Sequence, residues 1–273
     1  MPAANNPPAA RVPAWITLQS KRVFLLAVLA FAVGAGACAG PATRTGDAAP
    51  SNPTPRHDSA SRARSVLVFG GSGQLGAQIV RALLHDGYAV HVFIRPSSSR
   101  ERIAGLDAQL IEGDVLNESD VRRALQSRHF DVVVNALGRS EQPVSFYATS
   151  GQLIAKWSKA TAVNQAILHS SVGVGDSRDA RAGVTPPSMV ALFHEKSVAE
   201  SALIDSGIVY TIIRNDTLRD IAVDALDRAE LFSDQHKLGL VSRRGLARLT
   251  SECIGAKRCH NAIFHAVDPS MRP

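Results

Sequence analysis

Residues 66–80 read VLVFGGSGQLGAQIV, and no other stretch limits the fold as strongly. Val66-Leu67-Val68-Phe69 is a continuous apolar run, the pattern of a short strand buried on both faces of a parallel sheet. Gly70, Gly73 and Gly76 follow as G-x-x-G-x-x-G, and residues 74–84 then set Leu75, Ile79, Ala82 and Leu83 on one helical face. A strand that turns straight into a helix needs glycine where the chain bends and where helix and strand touch. The helix N-terminus offers unpaired N–H groups and the positive end of its dipole, which together suit a phosphate. The pattern is that of a loop cradling a dinucleotide pyrophosphate, and it assigns Gly70, Ser72, Gly73, Gln74, Leu75 and Gly76 to that task.

The remaining chain keeps the same rhythm. Apolar runs predict strands over 88–94, 108–111, 131–135 and 166–171, with a helix over 118–126. Strands alternating with helices at this spacing predict an α/β fold: a doubly wound, mostly parallel sheet of the Rossmann type in a single folded domain. The second strand ends in Arg95-Pro96-Ser97-Ser98-Ser99-Arg100, with no acid before Glu101. A free ribose 2′-hydroxyl is usually held here by a carboxylate, whereas arginines and hydroxyls suit a 2′-phosphate. Arg95 and Arg100 therefore favour NADP(H) over NAD(H). Glu112-Gly113-Asp114-Val115 brings Asp114 and Val115 to the adenine end, although Asp114 could instead cap the next helix, as Asn117 could. Ala136-Leu137-Gly138 would pass beneath the adenosine and its ribose.

With these pieces in place, the chain resembles the atypical short-chain dehydrogenase/reductase superfamily, in the NAD(P)H-binding branch that includes NmrA-like regulators and flavin/biliverdin reductase-like proteins. The resemblance covers about residues 65–268 and rests on GGSGQLG, EGDV, VVVNALG, HSSVGVGDS, EKSVAESALIDSGIVYTIIRNDTLRD and LVSRRGLARLTSECI. It implies dinucleotide-dependent oxidoreductase chemistry. Two departures bear on that implication. Standard members carry Tyr-x-x-x-Lys on the helix after the fifth strand, and here Leu192 stands four positions before Lys196. Their Arg-Pro-Gly after the sixth strand is Arg214-Asn215-Asp216.

Hydride transfer needs a placed nicotinamide and a proton source for the developing anion. Without the tyrosine, the catalytic candidates are Ser171, Lys196 and His194. Ser170 and Ser171 close the fifth strand at its carboxyl end, where open α/β sheets hold their ligands, and either hydroxyl could meet substrate or carboxamide. The resemblance implies that Lys196 holds the nicotinamide ribose; it could also donate the proton. His194, near the start of the same helix, could do so if it faces the cleft. Each has a plainer reading: serines at strand ends cap loops, Lys196 and Glu200 can pair at i,i+4, and a histidine there can be solvated. Segments 139–147 and 176–189 are expected to line the substrate pocket. No metal is expected, because the nine histidines are scattered and the late cysteines lack a CxxC partner. His85, His91, His129 and His236 fall away from the predicted carboxyl edge. Ser72 belongs to the phosphate loop, not to a hydrolase elbow.

The first 65 residues read differently. They hold seven Lys/Arg against two Asp/Glu, whereas the remainder holds 23 against 22. The basic balance thus belongs to the leader, and the domain has no basic face for nucleic acid. Aromatics at 5% also argue against a base-stacking platform. Lys21 and Arg22 precede an apolar run from Val23 to Val33 and then GAGACAG, the order of a secretory signal. Ala35-Gly36-Ala37-Cys38 resembles a bacterial lipobox, and Ser20-Lys21-Arg22-Val23-Phe24-Leu25-Leu26 resembles a twin-arginine signal. Residues 1–37 are therefore expected to be a leader, 38–65 a flexible, disordered tether, and 66–273 the NAD(P)-binding domain. Lipid on Cys38 would hold the chain to the cell envelope, periplasm-facing; an uncleaved apolar anchor in the inner membrane and a cytoplasmic protein are the alternatives. Cys253 and Cys259 could bridge if the chain turns between them, since a helix continued through both would splay their Cβ atoms.

The sequence reading is an NADP(H)-binding oxidoreductase of a small organic substrate. A non-catalytic dinucleotide-binding scaffold, or an isomerase or epimerase with tightly held cofactor, stands as the alternative.

Overall fold

The computed structural model describes residues 64–138, 145–181, 185–222 and 225–272. The leader, Cys38 and all but the end of the tether lie outside the described residues, as do 139–144 and 182–184 of the two predicted pocket segments.

The elements run β1 (Ser65–Phe69), α1 (Gln74–His85), β2 (Ala89–Ile94), β3 (Gln109–Glu112), α2 (Glu118–Gln126), β4 (Val132–Asn135), α3 (Phe146–Ala160), β5 (Gln165–Ser171), α4 (Pro187–Asp205), β6 (Val209–Asn215), β7 (Thr217–Arg219), β8 (Glu230–Phe232), β9 (Leu240–Ser242), α5 (Arg243–Cys253) and β10 (Ala262–Val267). Eight strands form one sheet in the order β3-β2-β1-β4-β5-β6-β10-β8, parallel except where β8 pairs β10. The chain order reverses between β1 and β4, where Val66 pairs both Val90 and Val132. A crevice outside the carboxyl ends of the strands at such a reversal is where doubly wound sheets bind ligands. β7 and β9 form a separate parallel pair.

The continuous apolar run of β1 has a simple cause. Val66 and Val68 pack with Ile79 and Leu83 of α1 and Leu246 of α5 on one face. Leu67 and Phe69 pack with Val121 and Leu125 of α2 and Ile154 of α3 on the other. Further along, Leu168 and Ile212 meet Ala199 and Leu203 of α4. All of β1 is buried, and each such side chain contributes on the order of 1.5–3 kcal/mol relative to exposure.

At the far end, α5 stops at Cys253, and Gly255 adopts a left-handed φ of 72°. The chain turns into a 3-10 segment, and a Cys253–Cys259 disulfide closes across it with a Cα separation of 5.4 Å. The turn required by the sequence is thus present. Gln165 at the start of β5 clamps it, donating to the Cys253 carbonyl at 3.0 Å and accepting from the Gly255 N–H at 2.8 Å. Among the described residues, no helix is long and apolar enough to cross a membrane.

Candidate functional site

The loop after β1 folds as its glycines demand. Gly70 has φ of 80°, and a Cβ there would lie 2.7 Å from the Ala136 carbonyl oxygen of the loop after β4. A Cβ on Gly76 would lie 2.1 Å from the Gly70 carbonyl oxygen, so α1 sits directly on its own loop. No side chain caps the N-terminus of α1, and the first N–H groups of a helix have no partner within it. A cleft of about 680 Å³ opens above it.

Most residues expected to hold a dinucleotide line this cleft: Gly70, Ser72, Gly73, Gln74, Leu75, Arg95, Val115, Ala136, Leu137, Gly138, Ser170 and Lys196. Gly76 serves beneath, through packing. Three candidate residues fall outside the cleft. Arg100 does not line the cleft; its guanidinium turns away to the Glu112 carboxylate on the exposed side. Ser98 and Arg102 line the cleft beside Arg95 instead. Asp114 is also outside, because its carboxylate accepts the Leu116 N–H at 2.9 Å, while Asn117 caps α2. His194 is exposed: α4 begins at Pro187, and a residue two positions before Lys196 lies about 200° around the helix from it. Ser171 lines a smaller neighbouring cavity of about 210 Å³, with Thr185, Pro186 and Met189 of the predicted pocket segment.

Lys196 joins the two spaces. Its ammonium donates to Ser171 Oγ at 2.8 Å while its side chain lines the larger cleft. Burial pushes Lys196 down to about 8, with the nearby Glu200 carboxylate opposing the shift. His169, one residue before Ser170, is buried and pushed down to about 3, by burial first and the Lys196 charge second. Thr250 donates its hydroxyl to the Leu246 carbonyl at 2.6 Å and so accepts from His169 Nε2 at 3.0 Å. That assignment leaves Nδ1 of the neutral ring as an acceptor. His169 Nδ1 and Ser170 Oγ are buried without a protein partner, and both residues line the cleft. Unmatched buried polar atoms beside a glycine cradle fit a polar ligand of the dinucleotide kind.

Tyr147, the last residue of the expected pocket segment 139–147, lines the cleft, and sequence reasoning missed His169, Arg102 and Arg243, which line it too. Arg243 stood in the quoted LVSRRG segment and pairs Asp220 at 3.0 Å. Arg214 took the opposite course. It is fully buried, donating to both Glu200 oxygens at 3.1 and 2.7 Å, to Asp176, and to Gln235 at 2.8 Å. Asn215 lines both cavities. Among the described residues, no group of three or more His, Cys, Asp or Glu could hold a metal ion.

Comparison with known proteins agrees with this geometry. An NAD(P)H-binding family profile matches residues 70–257. The photosystem II assembly factor Ycf39 of Cyanophora paradoxa is 25% identical over 213 residues, covering 74% of this chain and 63% of that protein. The chain therefore spans less than two thirds of that relative's length. The anaerobillin reductase ChuY of Escherichia coli O157:H7 superposes with a TM-score of 0.67 at 23% identity, over 77% of this chain and 99% of that one. A short-chain dehydrogenase/reductase of Veillonella parvula, solved in complex with NADP, gives 0.61 at 16% identity, over 77% and 96% of the two chains. The cradle, the reversal of strand order and the family match lead to one conclusion: the chain belongs to the NAD(P)H-binding family and has a Rossmann-type fold.

Proposed function

We propose that the protein is an NADP(H)-dependent reductase of a small organic substrate with a polarised double bond. The observation that carries this reading is the Lys196–Ser171 hydrogen bond at the carboxyl end of β5, set between the dinucleotide cleft and a smaller cavity. The bound dinucleotide would supply a hydride. The chain's own residues hold and polarise: the loop after β1 and the N-terminus of α1 bind pyrophosphate, Ser170 Oγ and His169 Nδ1 offer polar contacts near the nicotinamide end, and Lys196 holds ribose. Ser171 Oγ, with its partner Lys196, faces the smaller cavity and orients the substrate.

Arg95, Ser98 and Arg102 support NADP(H) as the cofactor. A charged hydrogen bond contributes about 1.5–3 kcal/mol, roughly one to two orders of magnitude in affinity. The purified protein is expected to bind NADPH more tightly than NADH, and Arg95→Ala to weaken NADPH by about tenfold or more while sparing NADH. Equal affinities in the unaltered protein would remove this assignment.

A second reading, a binding protein without turnover, is favoured by Leu192 in place of the usual tyrosine and by likeness to an assembly factor. It requires tight dinucleotide binding with no reduction of any carbonyl offered.

The cell envelope is part of the proposal, through a lipid on Cys38. The order Lys21-Arg22, apolar run, Ala35-Gly36-Ala37-Cys38 supports it. So does the buried Cys253–Cys259 disulfide, because such bonds persist in oxidising compartments. Cys38→Ala is expected to abolish incorporation of labelled fatty acid and to release the protein from membranes. Recovery of the unaltered protein in the cytosolic fraction would count against export.

A further inference from the structure

The acid missing at Leu192 has a counterpart on another helix. Tyr147 lies in the first turn of α3 and lines the same cleft as Lys196, Ser170 and His169. Its ring centroid is 5.0 Å from Lys196 Nζ, inside the ~6 Å range of cation–π attraction. The placement is held by α4. Ser145 precedes α3 with a left-handed φ of 68°, and its side chain does not cap the helix. The Glu195 carboxylate does so from the neighbouring helix, accepting the N–H of Ser145 at 2.8 Å and of Tyr147 at 3.0 Å. One turn on, a Cβ at Gly151 would lie 2.4 Å from the Ala199 Cβ, so the helices touch at their backbones. Tyr147 with Gly151, and Glu195 with Ala199, are both i,i+4 pairs. Two successive contacts along one helical face therefore fix the register of α3 on α4, and with it the phenol beside the ammonium.

We propose that Tyr147 is the proton donor of the reduction, a phenol supplied by α3 in place of the one absent at Leu192. The inference rests on the reductase reading above and assigns its acid. As the substrate's electrophilic carbon takes a hydride from the reduced dinucleotide, the Tyr147 O–H bond breaks and its proton passes to the substrate oxygen. The bonding pair stays on Tyr147 as a tyrosinate, which faces the Lys196 ammonium. Solvent then returns a proton to the phenolate, and the alcohol and oxidised dinucleotide leave. The charges around Tyr147 suit this cycle. Lys196 from α4 and Arg243 from α5 are cationic, His169 from β5 is neutral, and the Glu195 carboxylate is engaged by two N–H groups.

The test begins without substrate. The full chain has three tyrosines, Tyr88, Tyr147 and Tyr210. A pH titration of tyrosinate absorbance is expected to show one step below the ordinary value of about 10. Tyr147→Phe should remove that step and Lys196→Met should move it upward. Should no step fall below about 10, or should it survive Tyr147→Phe, the assignment is overturned. Turnover is then read with NADPH and an ortho-quinone, 9,10-phenanthrenequinone. Tyr147→Phe should lower kcat by about a hundredfold or more with NADPH affinity unchanged, and Leu192→Tyr in that background should restore part of the loss. Unchanged kcat in Tyr147→Phe defeats the proposal and leaves the reductase reading standing. If the unaltered protein binds NADPH yet reduces no quinone, the reductase reading fails and the assignment of Tyr147 as its donor falls with it, whatever the titration shows.

Discussion

Lys196→Met is expected to lower turnover by about two orders of magnitude or more at saturating NADPH. The ammonium touches Ser171, faces Tyr147 and lines the dinucleotide cleft, so one side chain is placed both to hold the ligand and to face the proposed Tyr147 phenolate. Methionine keeps the length of the stem and removes only the charge and its donors. A pH profile separates this role from a structural one. Burial pushes Lys196 down to about 8, so the ammonium is present below that pH and lost above it. Activity that depends on the charge therefore falls as pH rises through about 8. In Lys196→Met that limb should vanish from the profile. If Lys196 only holds ribose, the substitution weakens NADPH binding and spares kcat at saturation. Retention of both kcat and NADPH affinity would exclude any role for Lys196 in the site.

The second large effect is on stability. Arg214→Met is expected to destabilise the domain by about 3–5 kcal/mol, the usual cost of stranding one partner of a buried ion pair. Glu200 is nearly fully buried, and both of its carboxylate oxygens accept from the Arg214 guanidinium. Removing the cation leaves that carboxylate dehydrated and unpaired, and also releases Asp176 and Gln235. Denaturant unfolding should show a lower midpoint with an unchanged slope. Arg214→Met combined with Glu200→Leu should recover much of the loss, because an apolar pair of similar volume is not penalised by desolvation. A single-variant loss below about 1 kcal/mol would mean that water enters the network and screens it.

What the sequence disclosed follows from the range of the forces involved. The β1–loop–α1 unit was legible because strand burial, glycine steric demand and helix polarity act within fifteen consecutive residues. Helix α2 was legible to its ends because Asn117 caps it and its apolar face is periodic. β7, β8 and β9 were not, since three-residue strands carry too little pattern to read. In the site, errors arose where rotation about a short segment decides direction. Arg100 and Arg102 are two residues apart, and only the second lines the cleft. His194 and Lys196 differ in the same way on α4. Tyr147 was hidden for another reason. Nothing near it in sequence marks it out; its contacts with Glu195 and Lys196, almost fifty residues later, are what suggest the role proposed for it.

The disulfide at the end of α5 has a kinetic consequence. Cys253 and Cys259 are both fully buried, and Gln165 ties the turn between them to the first residue of β5. Thiol–disulfide exchange requires an attacking thiolate to reach a sulfur atom. In the closed fold neither sulfur is reachable, so reductants act only during local opening of the α5–β10 connection. At high reductant concentration the cleavage rate then reaches a ceiling equal to the opening rate. By the same geometry, oxidation must precede or accompany the docking of this turn, so the bond records the redox conditions under which the chain completed its folding.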